Sequence, residues 1–223
     1  MGGSVTYGNW TPAAEFNILV DPEAAKIVFT SGVPITMAGL DVTEKALILP
    51  EDFARVRALG NPVSDIVAQW LGFFYKFHRS IGYAGAPMHD PCAVMALIHP
   101  EIFTIRPMYV QVETGGEYCR GTTVGDLLGF SGHAPNADVL MDVDRGRFAD
   151  LILWGGKGMT TKQIPVWIDC DTGTDDTVAI MLAHALPELQ IIGLSAVAGN
   201  SLLCNTFPNT RRVVHLLGAD YPV

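Results

Sequence analysis

Apolar and polar positions along this chain fall into blocks whose period changes from strand-like to helix-like and back. Ile164 to Asp169 is a short β-rich run, Asp175 to Leu186 carries a helix-length apolar pattern, and Gln190 to Val197 is again strand-like. Together they predict a βαβ unit. Upstream, the pattern predicts a helix over Pro22 to Thr30, a buried strand over Pro34 to Leu40, helices over Glu51 to Leu59 and Val63 to His78, and a strand over Met108 to Glu113. Such alternation argues for an α/β fold with a mostly parallel central sheet flanked by helices. The aromatic residues Trp70, Phe73, Phe74, Tyr75 and Phe77 stand at helical spacing, which points to core packing.

At 223 residues the chain suits a single α/β domain, since one core commonly extends to roughly 250 residues before splitting. Within it, residues 154–158 (Trp-Gly-Gly-Lys-Gly) read as a flexible glycine-rich joint. Met159-Thr160-Thr161-Lys162 then reads like a native amino terminus leading into a first strand. Conversely, Met1-Gly2-Gly3 suits the exit of a strand, and Ala219 to Val223 stops as if a further element were due. These features place a seam near residues 155–158, dividing 1–153 from 159–223.

Composition narrows the function classes. No apolar run reaches the roughly 18 to 20 uncharged residues of a membrane span. A net charge of −9 without a basic cluster disfavours a nucleic-acid polymer as partner. Cys92, Cys119, Cys170 and Cys204 form no CxxC pair, and the first residues do not resemble a signal peptide. The expectation is a cytoplasmic protein whose thiols are small core residues.

The densest chemistry lies where the first strand of the βαβ unit meets its helix. Asp169, Asp171, Asp175 and Asp176 crowd into the run DCDTGTDD, a cluster that would repel itself without a counter-ion and that has the all-oxygen character a hard cation requires. Open α/β sheets bind ligands at this carboxyl edge. Gly173 permits a tight turn, while Asp175 and Asp176 fall in the first helical turn, where the dipole favours anions. Helix capping would account for one aspartate only. An EF-hand is excluded, because no Glu stands at the twelfth loop position.

The run Asp169 to Ile180, DCDTGTDDTVAI, resembles the amino-terminal signature of the inosine/uridine-preferring nucleoside hydrolase family. Three further stretches are similar to that family: Val197-Ala198-Gly199-Asn200, the GNWTPAAEFN stretch from Gly8 to Asn17, and Pro87-Met88-His89-Asp90-Pro91. Their order is inverted relative to the family. Residues 1–153 resemble its carboxyl-terminal half and 159–223 its amino-terminal part, as in a circular permutation, with no counterpart of the family's middle section.

The resemblance implies a nucleoside-hydrolase-like, Rossmann-like fold and a calcium-dependent enzyme of purine or pyrimidine salvage that cleaves ribonucleosides to ribose and free base. It implies Ca²⁺ ligation by Asp171, Asp176 and Asp90, with Asp169 and Asp175 in support. Asp171 would also be the general base, and His89 would protonate the departing base. Asn9, Glu15, Asn17 and Asn200 would hold the ribose hydroxyls, with Phe16 and Met1 walling the sugar and Asp175 beside it. Read alone, Glu15 also suits a solvated residue at the start of a helix and Asn9 a turn former. Tyr83, flanked by glycines, suits either a flap over a nucleobase or a surface loop. His78, His99, His133, His184 and His215 receive no role. The expected partners are a ribonucleoside substrate and either a homo-oligomer or a complementing chain; a non-catalytic scaffold that lacks part of its metal shell is the competing expectation.

Overall fold

The computed structural model describes residues 1–60, 62–154 and 163–223. Apart from Trp154, the expected glycine-rich joint and the 159–162 lead-in lie outside the described residues.

Helix formation follows the local caps and prolines. Glu15 caps α1 (Phe16–Val20), and Asp21 caps α2 (Pro22–Thr30), where Pro22 sits in the first turn. The predicted Pro34–Leu40 strand is shorter than expected. Only Thr36–Met37 pair as a strand, β1, because the chain enters the short, wholly buried α3 (Leu40–Thr43) directly after the extended Gly39. After β2 (Leu47–Ile48), α4 (Pro50–Arg57) and the long α5 (Pro62–Ser80) follow as the pattern predicts. A short β3 (Ala86–Pro87) then leads into α6 (His89–Ile98), with His89 and Asp90 in its first turn.

The predicted Met108–Glu113 strand is instead shared between two sheets. β4 (Phe103–Met108) ends where its register with a later strand ends, and β5 (Val110–Val112) pairs with β6 (Thr123–Gly125). At the junction the Tyr109 carbonyl accepts the Asp126 amide at 2.8 Å. β7 (Ala137–Val143) runs antiparallel to β4 and parallel to β1, making a mixed sheet in the order β1-β7-β4. Next come α7 (Arg145–Trp154), β8 (Ile164–Cys170), α8 (Thr174–Ala185), β9 (Leu189–Ala196) and α9 (Leu203–Leu216). β8 and β9 pair in parallel, as a βαβ unit requires. Among the described residues no ladder joins this pair to the mixed sheet.

Burial unites the parts. One apolar cluster draws on Val42, Ile48, Leu71, Met88, Met95, Leu140 and Phe148 from the first segment and on Ile180, Leu186, Leu194 and Val214 from the second. α6 packs against α8, which brings the first turns of both helices together. Two expectations change here. Phe73 and Phe77 are exposed rather than packed, because the helical stripe is wider than the face α5 turns inward, although Phe74 and Tyr75 do meet the core. Cys92 and Cys170 are buried, but Cys119 and Cys204 are exposed.

Candidate functional site

The site begins at the carboxyl end of β8. There the chain turns through Asp171, Thr172 and Gly173 into α8, and the Gly173 amide donates to Asp176 Oδ2 at 2.8 Å. A serial chain of buried hydroxyls ties this turn to α9. Thr172 and Thr210 share a hydrogen bond of 2.7 Å, Thr210 donates to the Thr206 carbonyl, and Thr206 donates to the Val197 carbonyl. Buried polar groups satisfied in this way fix the backbone that carries the carboxylates.

Oxygen atoms of Asp90, Asp175 and Asp176 lie within 4.8 Å of one another. Burial holds the Asp90 carboxyl well above the ordinary carboxylate range, and the charges of Asp175 and Asp176 add to it. Asp176 is pushed up to about 6, mostly by burial; the Gly173 amide opposes the rise and the neighbouring Asp175 and Asp171 charges reinforce it. Three carboxylates so close, with no arginine or lysine among them, are short of positive charge. The donor set is all oxygen, which fits a hard divalent cation.

Asp171 stands at the same place but is held differently. Its Oδ2 accepts the Asn200 backbone amide at 2.6 Å, so the loop after β9 aims this carboxylate. Gly199 makes the approach possible, since a Cβ there would stand 2.5 Å from Asp171 Oδ2. Asp169 departs from the expectation of a supporting cluster member. It accepts the Ser195 hydroxyl at 3.3 Å and lines an adjoining cleft with Asp90, Asp171 and Asp176, but it is outside the group of three carboxylates that crowd together.

The opposite wall comes from the amino-terminal loop and α3. Glu15 is buried, and its two carboxylate oxygens accept the amides of Gly3, Asn17 and Ile18 at 2.8 to 3.1 Å. It is therefore not a solvated residue. Asn9 Oδ1 accepts the Phe16 amide at 3.0 Å, and Asn17 Nδ2 donates to Met1 Sδ at 3.3 Å. His89 Nδ1 shares a 2.8 Å hydrogen bond with the buried Thr43 hydroxyl, leaving Nε2 as the ring nitrogen free for a ligand. Burial pushes the His89 imidazolium down, against the raising influence of Asp175 and Glu44.

These walls enclose a cavity of about 480 Å³ lined by Met1, Asn9, Glu15, Phe16, Asn17, His89, Asp90, Asp171, Asp175, Asp176 and Asn200. Apart from Asp169, every site residue expected from sequence thus faces one space, of the size that takes a small organic ligand. Comparison with known proteins gives this convergence its context. The sequence pattern of the inosine-uridine preferring nucleoside hydrolases matches residues 1–150 and 166–223. The chain belongs to this family.

Within the family, it is 57% identical over 154 residues to the pyrimidine-specific ribonucleoside hydrolase RihA of Escherichia coli O17:K52:H18, an alignment covering 68% of this chain and 50% of that protein. Among solved structures it is similar to the purine-preferring ribonucleoside hydrolase from Gardnerella vaginalis, with a TM-score of 0.61 and 34% identity over 67% of this chain and 48% of that one. It is also similar to the plant nucleoside hydrolase PpNRh1, with a TM-score of 0.60 and 30% identity over 68% and 50% of the two chains. The chain spans about half the length of the curated relatives it matches.

Several residues of this nucleoside hydrolase family site escape sequence reasoning. Glu44, Phe74, Phe77 and His78 line the same cavity, as does Tyr83, for which a flap or an idle surface loop were the two expectations. His78 Nδ1 is hydrogen-bonded to the Phe74 carbonyl at 3.1 Å, and its ring meets Tyr83 edge-on at 5.4 Å between centroids. Phe74, Phe77 and His78 lie on the last turns of α5, and nothing in the local sequence of these residues or of Glu44 marks them for the site. Asp41 was missed as well. It is buried within an apolar run, where it accepts the Val5 amide at 2.9 Å and the Thr6 hydroxyl at 2.6 Å, and so anchors the loop that carries Asn9.

Proposed function

We propose that this chain takes part in hydrolysis of the N-glycosidic bond of ribonucleosides to ribose and free base, with Ca²⁺ as the cation at the aspartate cluster. The observation that carries the reading is the single cavity in which Asp90, Asp171, Asp175 and Asp176 face His89 and the ribose-side residues Asn9, Glu15 and Asn17. Pyrimidine ribonucleosides are the preferred class, by similarity to the relatives named as pyrimidine-specific at 57% identity.

Asp90, Asp175 and Asp176 would hold the cation, joined by Asp171. When bound, such a cation polarises oxygen ligands and offsets their charge. Asp171, aimed by the Asn200 amide, takes the proton from the attacking water as general base. Attack at the anomeric carbon passes through an oxocarbenium-like state, which the surrounding carboxylates stabilise electrostatically. Glu15, Asn9, Asn17 and Asn200 orient the ribose hydroxyls, and orientation supplies a large part of the rate. His89, held through Nδ1 by Thr43, presents its second nitrogen to the departing base as proton donor.

The domain reading is likewise ours. Residues 1–223 act as one α/β domain with family segments in permuted order, joined at 154–158. The expected association, with a second copy or a complementing chain, draws support from the outer edge of β8, which has no ladder partner among the described residues. A reducing cytoplasm suits the four free thiols. The direct test is Asp171→Asn: hydrolysis should be abolished while ribonucleoside affinity is largely spared, whereas loss of both together would contradict its role as base.

A further inference from the structure

Two residues of one short helix and the residue that caps it reach three separate walls of the cavity. α3 is wholly buried, so it is a rigid base for what it carries. Its Asp41 holds the Ser4–Thr6 loop and its Thr43 holds His89. Glu44, the capping residue that closes the helix, donates its own amide to the Leu40 carbonyl and lines the cavity beside Tyr83. The Tyr7 hydroxyl donates to Glu44 Oε2. Tyr83 lines the same cavity as Glu44, and Glu44 is among the groups that hold its phenol proton more tightly.

Tyr7 and Tyr83 belong to segments that are otherwise independent. Tyr7 sits in the loop leading to Asn9 and Glu15. Tyr83 sits on the turn between α5 and β3, where Gly82 adopts a φ of +98° and the Tyr83 amide returns to the His78 carbonyl at 3.0 Å. The Tyr83 ring meets His78 edge-on at 5.4 Å, and the glycine beside it leaves the turn free to move unless its outer end is also held. We propose that Glu44 is a positioning residue, a shared latch whose carboxylate binds the Tyr7 and Tyr83 hydroxyls and so holds the ribose-side loop and the Tyr83 turn together across the cavity mouth. The inference rests on the proposed nucleoside reading for its consequence in catalysis, though not for its geometry. Both tyrosine hydroxyls carry the mark of that neighbour. Tyr7 is pushed up to about 12 and Tyr83 is raised as well, burial first and Glu44 next in each case.

The test compares Glu44→Ala, Glu44→Gln, Tyr7→Phe and Tyr83→Phe with the unaltered chain by amide hydrogen exchange and by steady-state hydrolysis of uridine. Glu44→Ala should speed exchange about tenfold, the equivalent of losing ~1.4 kcal/mol, in both residues 5–9 and 81–85. Tyr7→Phe should loosen only the first segment and Tyr83→Phe only the second. Glu44→Gln, which keeps an acceptor oxygen, should restore most of the protection. In turnover, Glu44→Ala should raise KM for uridine about tenfold with kcat changed less than about threefold. Unchanged exchange in either segment after Glu44→Ala, or equal loosening of both segments by each single tyrosine change, would overturn the latch. Absence of turnover in the unaltered chain would refute the proposed function instead, and the exchange pattern would still decide the latch.

Discussion

The burial of Asp176, reinforced by the neighbouring Asp175 and Asp171 charges, makes stability depend on pH in a direction unusual for a carboxylate. An Asp that gains a cationic partner on folding loses affinity for its proton, but Asp176 moves the other way, from 3.8 to about 6. Below pH ~4 it is protonated whether the chain is folded or not. Between ~4 and ~6 the unfolded chain gives up the proton while the folded chain keeps it, so each step upward in pH costs stability. The span is about 2 pH units, which at ~1.4 kcal/mol per unit amounts to about 3 kcal/mol. For a domain of this size that is a fall of about 6–12 °C in Tm. Asp90, raised well above its ordinary value, extends the loss to higher pH. The assay is calorimetric or circular-dichroism melting from pH 4 to 7.5 in chelator, with Asp176→Asn beside it. The variant cannot ionise there and should show a distinctly shallower fall. Added Ca²⁺ should flatten the unaltered chain's curve, since a cation at about 100 times its Kd stabilises by about 2.7 kcal/mol. Identical pH slopes for the two chains in chelator would refute the reasoning.

Three further substitutions probe the walls of the cavity. Gly199→Ala places a Cβ 2.5 Å from Asp171 Oδ2; overpacking of this kind costs about 1–3 kcal/mol, and the displacement of Asp171 should reduce kcat more than it reduces Tm. Thr43→Val keeps the volume but removes the hydroxyl on His89 Nδ1, so kcat for uridine should fall about tenfold with little change in Ca²⁺ affinity by titration calorimetry. Asp41→Ala removes the acceptor of the buried Ser4 hydroxyl, the half-buried Val5 amide and the exposed Thr6 hydroxyl, a loss of about 1–3 kcal/mol in all, which urea unfolding would register.

Local chemistry made the second segment largely legible. The β-rich run, the apolar helix and the second strand fall at β8, α8 and β9 because their periodicity is set locally, although β8 itself is largely exposed. The upstream strands were harder to read, since their limits are set by partners distant in sequence. Leu40 leaves the extended state because its amide meets the Gly3 carbonyl, and Tyr109 separates two strands that pair with Ala137 and Gly125. Neither event leaves a trace in nearby residues. The same applies to the site. Motifs pointed to Asp171, Asp176, Asp90, His89, Glu15 and Asn17, and all of them face the cavity. Glu44, Thr43 and His78 carry no local signal, because each matters only through a residue reached by tertiary packing. Asp41 did carry one: an acid within the apolar run LDV is costly to bury without partners.

The central claim is that the aspartate cluster, loaded with a cation, drives ribonucleoside hydrolysis, and its most direct test is release of free base and reducing sugar from uridine and inosine with Ca²⁺ and then with chelator. The account predicts hydrolysis that chelator stops, that Ca²⁺ restores and that favours uridine. A folded chain that binds Ca²⁺ and releases no base from either nucleoside would contradict it.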